Sequence, residues 1–194
     1  MDMKRHLRLK NKCIVHETEL FFDSAPYKSF IENEINKKQW IYKIINGEKE
    51  QDQIIYKDDS LMILPDLETR DDSSILNWIV IFTEKDLTSL RMLNASHVEL
   101  LETTEQVVRR LLPIDFQEAM LYFHYPPSVW QLHLHVSAPC NVLRTTNSMQ
   151  KVYFLRDVIS ALKLNSEFLK KATLSYVLPH NHELCVLYKD QTAS

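Results

Sequence analysis

The run QLHLHV places His133 and His135 one residue apart, and His124 precedes them in LYFHY. Imidazole changes charge near neutral pH, so such a group can act as nucleophile, proton carrier, phosphate-facing cation or metal ligand. Leu132, Leu134 and Val136 fall on every second position, which is the period of a strand. Gln131, His133 and His135 therefore share the face that meets solvent or a ligand, while the aliphatic residues bury the other. From this spacing alone, an ordinary solvated face is the commoner outcome. A zinc site would need more ligands. Cys140 is the one thiol nearby, no C-x-x-C occurs, and His180 and His182 lie on a distant segment.

The elements that must position these histidines are legible around them. AMLYFHY and SVWQLHLHVSA flank Pro126 and Pro127, which cannot donate to a ladder and belong in the turn. That hairpin carries His124 toward the face of His133 and His135. Upstream, ILNWIVIFT reads as a buried strand, and shorter strands are expected near 54–56 and 61–64, followed by the polar loop PDLETRDDSS. From Lys28, the spacing of Ile31, Ile35, Ile41 and Ile45 predicts one helix that carries Trp40 and stops at Gly47 in a left-handed cap. SHVELLETTEQVVRRLL opens with Ser96 and Glu99 in capping-box spacing and ends before Pro113. A helix over about 148–164 and a strand at TLSYVL complete the pattern, while 1–26 is weakly patterned. Helices segregated from antiparallel strands make an α+β fold.

Composition narrows the function. The 194 residues, 45% of them hydrophobic, suit one domain or one domain with a small appendage. A net charge of −3 offers no basic field for coating long nucleic acid, so any nucleic-acid substrate should be short. Gly47 is the single glycine, so neither G-x-G-x-x-G nor G-x-x-x-x-G-K-[ST] can be written, and both backbone phosphate cradles are excluded. Cys13, Cys140 and Cys185 are odd in number and widely spaced, which predicts free thiols in a reducing compartment. The basic opening MDMKRHLRLKNK has no apolar core behind it, so no secretory leader is expected. No apolar run approaches the roughly 20 residues that span a bilayer.

QWIYKI, ILPDL, SLRML, HYPPSVWQLHLHV and TLSYVL occur in an order and approximate spacing that resembles the scavenger mRNA decapping enzyme family, within the histidine triad superfamily. The resemblance runs from about His16 to the C-terminus. It implies an antiparallel sheet of the histidine-triad kind with packed helices over 27–194. Residues 1–26 would be an extension, a candidate remnant of the family's swapped N-terminal domain. It further implies a hydrolase in mRNA decay that cleaves 7-methylguanosine cap dinucleotides or short capped RNA to 7-methyl-GMP and a nucleoside diphosphate. A homodimer in the cytoplasm, the nucleus or both is expected, with no metal or other cofactor.

Carried over residue by residue, the resemblance makes His133 the nucleophile. His124, His135 and Ser128 would face the phosphates, with Gln131 at the first triad position and Lys151 near the place of a family arginine. Trp40 would stack on the methylated base and Glu50 would hydrogen-bond the guanine edge. Pro65, Asp66 and Leu67 would touch base and ribose, and Tyr125 accompanies His124 in the substrate-binding set. Taken alone, Trp40 has an ordinary alternative as a core residue of an amphipathic helix, and Glu50 as a solvated charge past a helix end.

Three departures stand out. Gln131 is an amide that cannot carry a proton's charge. Glu68 occupies the place of an expected lysine, with Arg70 two residues on. Lys151 keeps a charge but lacks the guanidinium fork. These motivate two alternatives, a cap-binding protein with slow or no turnover and a generic dinucleoside polyphosphate hydrolase.

Overall fold

The computed structural model describes residues 12–66, 76–139 and 151–193. Lys12–Glu17 (β1) pairs antiparallel with Leu174–Pro179 (β8) in a two-stranded sheet. A second, antiparallel sheet joins Tyr56–Lys57 (β2), Leu61–Pro65 (β3), Asn77–Phe82 (β4), Met120–Tyr125 (β5), His133–Ser137 (β6) and Lys151–Phe154 (β7), in the order β2-β3-β4-β6-β5-β7. The expected α+β architecture is observed. Among the described residues, no helix is long and apolar enough to cross a membrane.

Strand register sorts the side chains. Ile81 lies opposite His133, and both Ile79 and Tyr122 lie opposite His135, so all five project from one side of the sheet. The other side carries Leu61, Ile63, Val80, Phe82, Leu121, Phe123, Leu134 and Val136 into the main core. That core is closed by the amphipathic helices Val98–Leu111 (α4) and Leu155–Leu164 (α5). The histidine side is not the wet face expected from alternation: Met62, Leu64 and Ile81 form a second core there with Ile41 and Ile44.

Those two isoleucines explain a second difference. The single helix expected from Lys28 to Gly47 is two, Ala25–Lys37 (α2) and Trp40–Ile45 (α3), preceded by the short helix Glu19–Phe22 (α1). Ser24 caps the first by accepting from the Tyr27 amide, and Lys38 ends it at φ −116°, ψ 37°. Tyr27, Phe30 and Ile31 enter the main core, whereas Ile41 and Ile44 enter the core on the opposite side of the sheet. A straight helix cannot serve both. A six-residue helix is too short to persist alone, so α3 depends on that packing. Full burial of each isoleucine contributes about 1.5–3 kcal/mol. Gly47 adopts φ +80°, the left-handed stop that its position predicts.

Capping of α4 also differs. The turn Ala95–His97 precedes the helix, and Asn94 caps that turn, while His97 at the N-cap of the helix makes no side-chain cap bond. The Asn94 Oδ1 accepts from the Ser96 backbone N–H, and the Asn94 backbone N–H donates to His97 Nδ1. The Ser96–Glu99 box is not used. Several elements lay outside expectation, among them β1, the short helices Glu19–Phe22 and Phe168–Lys171, β7 at the front of the helix predicted over 148–164, and the helix Glu183–Ala193.

Glu17 ends β1 and is completely buried. The hydroxyls of Tyr27 and Tyr176 donate to its Oε2 at 2.5 and 2.6 Å, and the Tyr125 hydroxyl and Arg91 Nε donate to Oε1, the latter at 2.8 Å. Arg91 also donates to the carbonyls of Glu17, Leu169, Lys170 and Ala172. A buried ion pair persists only when its remaining hydrogen-bonding capacity is met in this way. Toward the start of β1, Cys13 forms a disulfide with Cys185, their Cα atoms 6.2 Å apart, which corrects the expectation of free thiols for these two. Their separation of 172 residues concealed the pairing. Cys140 lies outside the described residues.

Candidate active site

His133 opens β6 and is only 5% exposed. Its Nδ1 lies 2.7 Å from the Gln131 carbonyl oxygen. A carbonyl can only accept, so Nδ1 carries the hydrogen and the lone pair resides on Nε2 when the ring is neutral. Burial, reinforced by the neighbouring His135, pushes the His133 pKa down to about 4. At pH 7 this imidazole is an uncharged base.

His124 reaches the same place from β5, as the hairpin predicts. Its ring meets that of His135 at 4.7 Å, edge to face, and His135 lies 5.2 Å from His133. Burial first, and then His135, lower the His124 pKa to about 4. Its Nδ1 is buried without a hydrogen-bond partner. His135 is stacked on Tyr122 at 5.4 Å, and its Nδ1 lies 3.5 Å from Asp66 Oδ2. Behind them the Tyr122 hydroxyl lies 3.4 Å from Ser137 Oγ, which donates to Asn77 Oδ1 at 2.8 Å. Two neutral imidazoles thus adjoin a third that has a carboxylate for a neighbour.

Gln131 departs from the expected ligand-facing placement, because it precedes β6 and is fully buried. Its Nε2 donates to the carbonyls of Phe82 and Glu84 at 2.7 and 2.9 Å. Tyr125 likewise points away: its side chain is buried in the main core and its hydroxyl goes to Glu17. That takes its ring out of the histidine cluster. Pro65 pairs with Trp78, whose neighbours in register lie on the main-core side, so Asp66 rather than Pro65 reaches the histidines.

Trp40 begins α3 and keeps 36% of its surface exposed, which answers the alternative of a core tryptophan. Glu50 is half-buried with φ +57°, a left-handed conformation that a non-glycine residue occupies at some cost. Ser128 lies in the turn after Pro127, and its carbonyl accepts from Lys38 Nζ at 2.5 Å. Lys151 stands opposite Tyr125 in the β5–β7 ladder. Leu67, Glu68 and Arg70 lie outside the described residues. Sequence reasoning missed Tyr122, although its position two residues before His124 places it on the same strand face. Nothing local marked Lys38. Among the described residues, no group of three or more His, Cys, Asp or Glu is arranged to hold a metal ion.

Residues 39–150 match the family model described as "Scavenger mRNA decapping enzyme C-term binding". The chain belongs to this family. The decapping-family match encloses the histidine cluster, Asp66, Trp40 and Glu50, and stops one residue short of Lys151. The m7GpppX diphosphatase of Schizosaccharomyces pombe is 24% identical over 192 residues, covering 94% of this chain and 62% of that protein. The m7GpppX diphosphatase of Bos taurus is 28% identical over 166 residues, covering 80% of this chain and 49% of that protein. The chain therefore spans about half to three-fifths of the length of these decapping-family relatives. Among solved structures, an aprataxin ortholog, Hnt3, in complex with DNA is 17% identical with a TM-score of 0.45, covering 82% of this chain and 94% of that one.

Proposed function

We propose that this chain hydrolyses 7-methylguanosine cap dinucleotides or very short capped RNA, and that His133 forms a covalent nucleotidyl intermediate. The observation that carries the reading is a neutral His133 whose Nδ1 is held by the Gln131 carbonyl, beside His135 and His124, in a member of the decapping family. Nε2 attacks the phosphorus attached to 7-methylguanosine. The N–P bond forms as the P–O bond to the nucleoside diphosphate breaks, and the diphosphate leaves with the electron pair. Positive charge then develops on the ring, and the Gln131 carbonyl stabilises it through the Nδ1 hydrogen. Water next cleaves the N–P bond, releasing 7-methyl-GMP and restoring His133. Splitting the displacement into two steps lowers each barrier.

His135, beside Asp66, is the group suited to charge developing on phosphate oxygens. Ser128, Lys151 and His124 are assigned to the same phosphate-side set, and Trp40, Glu50, Asp66 and Leu67 to recognition of base and ribose. The reading includes a homodimer and a role in mRNA decay in the cytoplasm or nucleus, both resting on the family alone. A second reading, cap binding without turnover, is favoured by one observation: the first triad position is an amide whose NH2 group is used on backbone carbonyls and whose Oε1 is buried without a hydrogen-bond partner. Incubation with methylated and unmethylated cap dinucleotides, with products separated by chromatography, tests both. Release of 7-methyl-GMP and a nucleoside diphosphate supports hydrolysis. Retention of the intact dinucleotide by a protein that binds it supports the second reading.

A further inference from the structure

The loop that leaves β4 and the chain that enters β6 are clamped together by one short ladder. Phe82 N donates to Leu132 O at 3.1 Å and Leu132 N donates to Leu87 O at 2.6 Å. The Gln131 side chain completes the clamp, since both hydrogens of its single NH2 group are used, one for Phe82 O and one for Glu84 O. The same residue's backbone carbonyl accepts from His133 Nδ1 at 2.7 Å. The amide that locks the loop and the carbonyl that orients the imidazole therefore belong to one fully buried residue.

We infer that Gln131 is a positioning residue for His133: its side chain immobilises its own carbonyl, which fixes the His133 ring with Nε2 free to attack. This deepens the proposed hydrolysis and rests on it for the catalytic consequence. A histidine here would not be equivalent. Neutral imidazole has one N–H and cannot donate to two carbonyls, and an imidazolium directs its donors to opposite sides of the ring. The amide thus makes two donations to this loop that a histidine could not. Its lack of a titratable proton is no handicap, because its work is donation to backbone oxygens.

The test uses the full chain, with Gln131→Met to keep length and volume without hydrogen bonds, and Gln131→His to install an imidazole. Nitrogen-15 NMR of the unaltered protein at neutral pH should show His133 with a protonated Nδ1 and an unprotonated Nε2, whether or not the protein turns over. Both variants should remain folded by circular dichroism, show mixed or reversed His133 tautomers, and lose kcat by about 100-fold, the scale of a displacement of about 1 Å near the chemistry. KM should change much less, because the group binds no substrate. A proton on Nε2 in the unaltered protein overturns the inference. So do an unchanged tautomer in Gln131→Met, a Gln131→His protein as fast as the original, or loss of the fold in both variants, which would make Gln131 a structural pin. If the unaltered protein shows the expected tautomer but releases no 7-methyl-GMP, the proposed hydrolysis fails while the positioning of His133 stands.

Discussion

His124 and His135 meet edge to face with ring centroids 4.7 Å apart, on neighbouring strands of one hairpin. Burial and this proximity hold His124 at about 4, and His133 is held at about 4 for the same reasons, against an ordinary value of 6.5. Between these limits the unfolded chain binds protons that the folded chain refuses. Stability from the two groups is therefore complete above about pH 6.5, declines as pH falls, and levels off below about pH 4. The slope approaches about 1.4 kcal/mol per pH unit for each histidine. Urea unfolding across this range should show the decline, with a shallower slope in His124→Gln. A flat profile in the original protein would contradict the buried, neutral state of both rings.

His133→Asn should abolish release of 7-methyl-GMP while leaving affinity for the cap dinucleotide within about tenfold, because a nucleophile acts on the transition state more than on the ground state. Product chromatography and a binding titration on the same preparation check this. Turnover near the original rate would remove His133 from the mechanism.

Trp40 is the test of methyl selectivity. Methylation at N7 makes the base cationic, so an exposed aromatic face gains about 0.5–2 kcal/mol that unmethylated guanine does not offer. Trp40→Ala should cost affinity for the methylated cap far more than for the unmethylated one, and Glu50→Gln should narrow the same gap. Equal losses for both ligands in fluorescence titrations would make Trp40 a support for α3 and favour a generic dinucleotide hydrolase.

Glu17→Ala should destabilise the protein by about 3–5 kcal/mol, since Arg91 would remain buried without its carboxylate. Tyr125→Phe, which removes one donor and leaves the ion pair, should cost about 1–3 kcal/mol. Because Tyr125 adjoins His124, disorder at the end of β5 should appear in the His124 NMR signal before global unfolding. Guanidinium melts of both variants give the ranking, and equal effects would show that the ion pair carries no special weight.

Alternation in QLHLHV and the paired prolines before it were enough to form the β5–β6 hairpin and bring His124 to His135, because strand period and turn chemistry are local properties. The same local logic placed β3, β4 and α4 and set Gly47 at a left-handed stop. Local logic was silent on what would cover the histidine face. Alternation says which residues share a side; only packing of Ile41 and Ile44 onto Met62, Leu64 and Ile81 decided that this side would be a second core, and hence that His133 would be neutral. The break between α2 and α3 follows from the same long-range demand. Glu17 was unreadable as a core residue because a carboxylate enters the interior only when distant partners, here Tyr27, Tyr125, Tyr176 and Arg91, converge on it. Gln131 belongs to this class as well: its residue type is visible in the chain, but the two carbonyls that give it a role come from the loop after β4, brought there by the sheet.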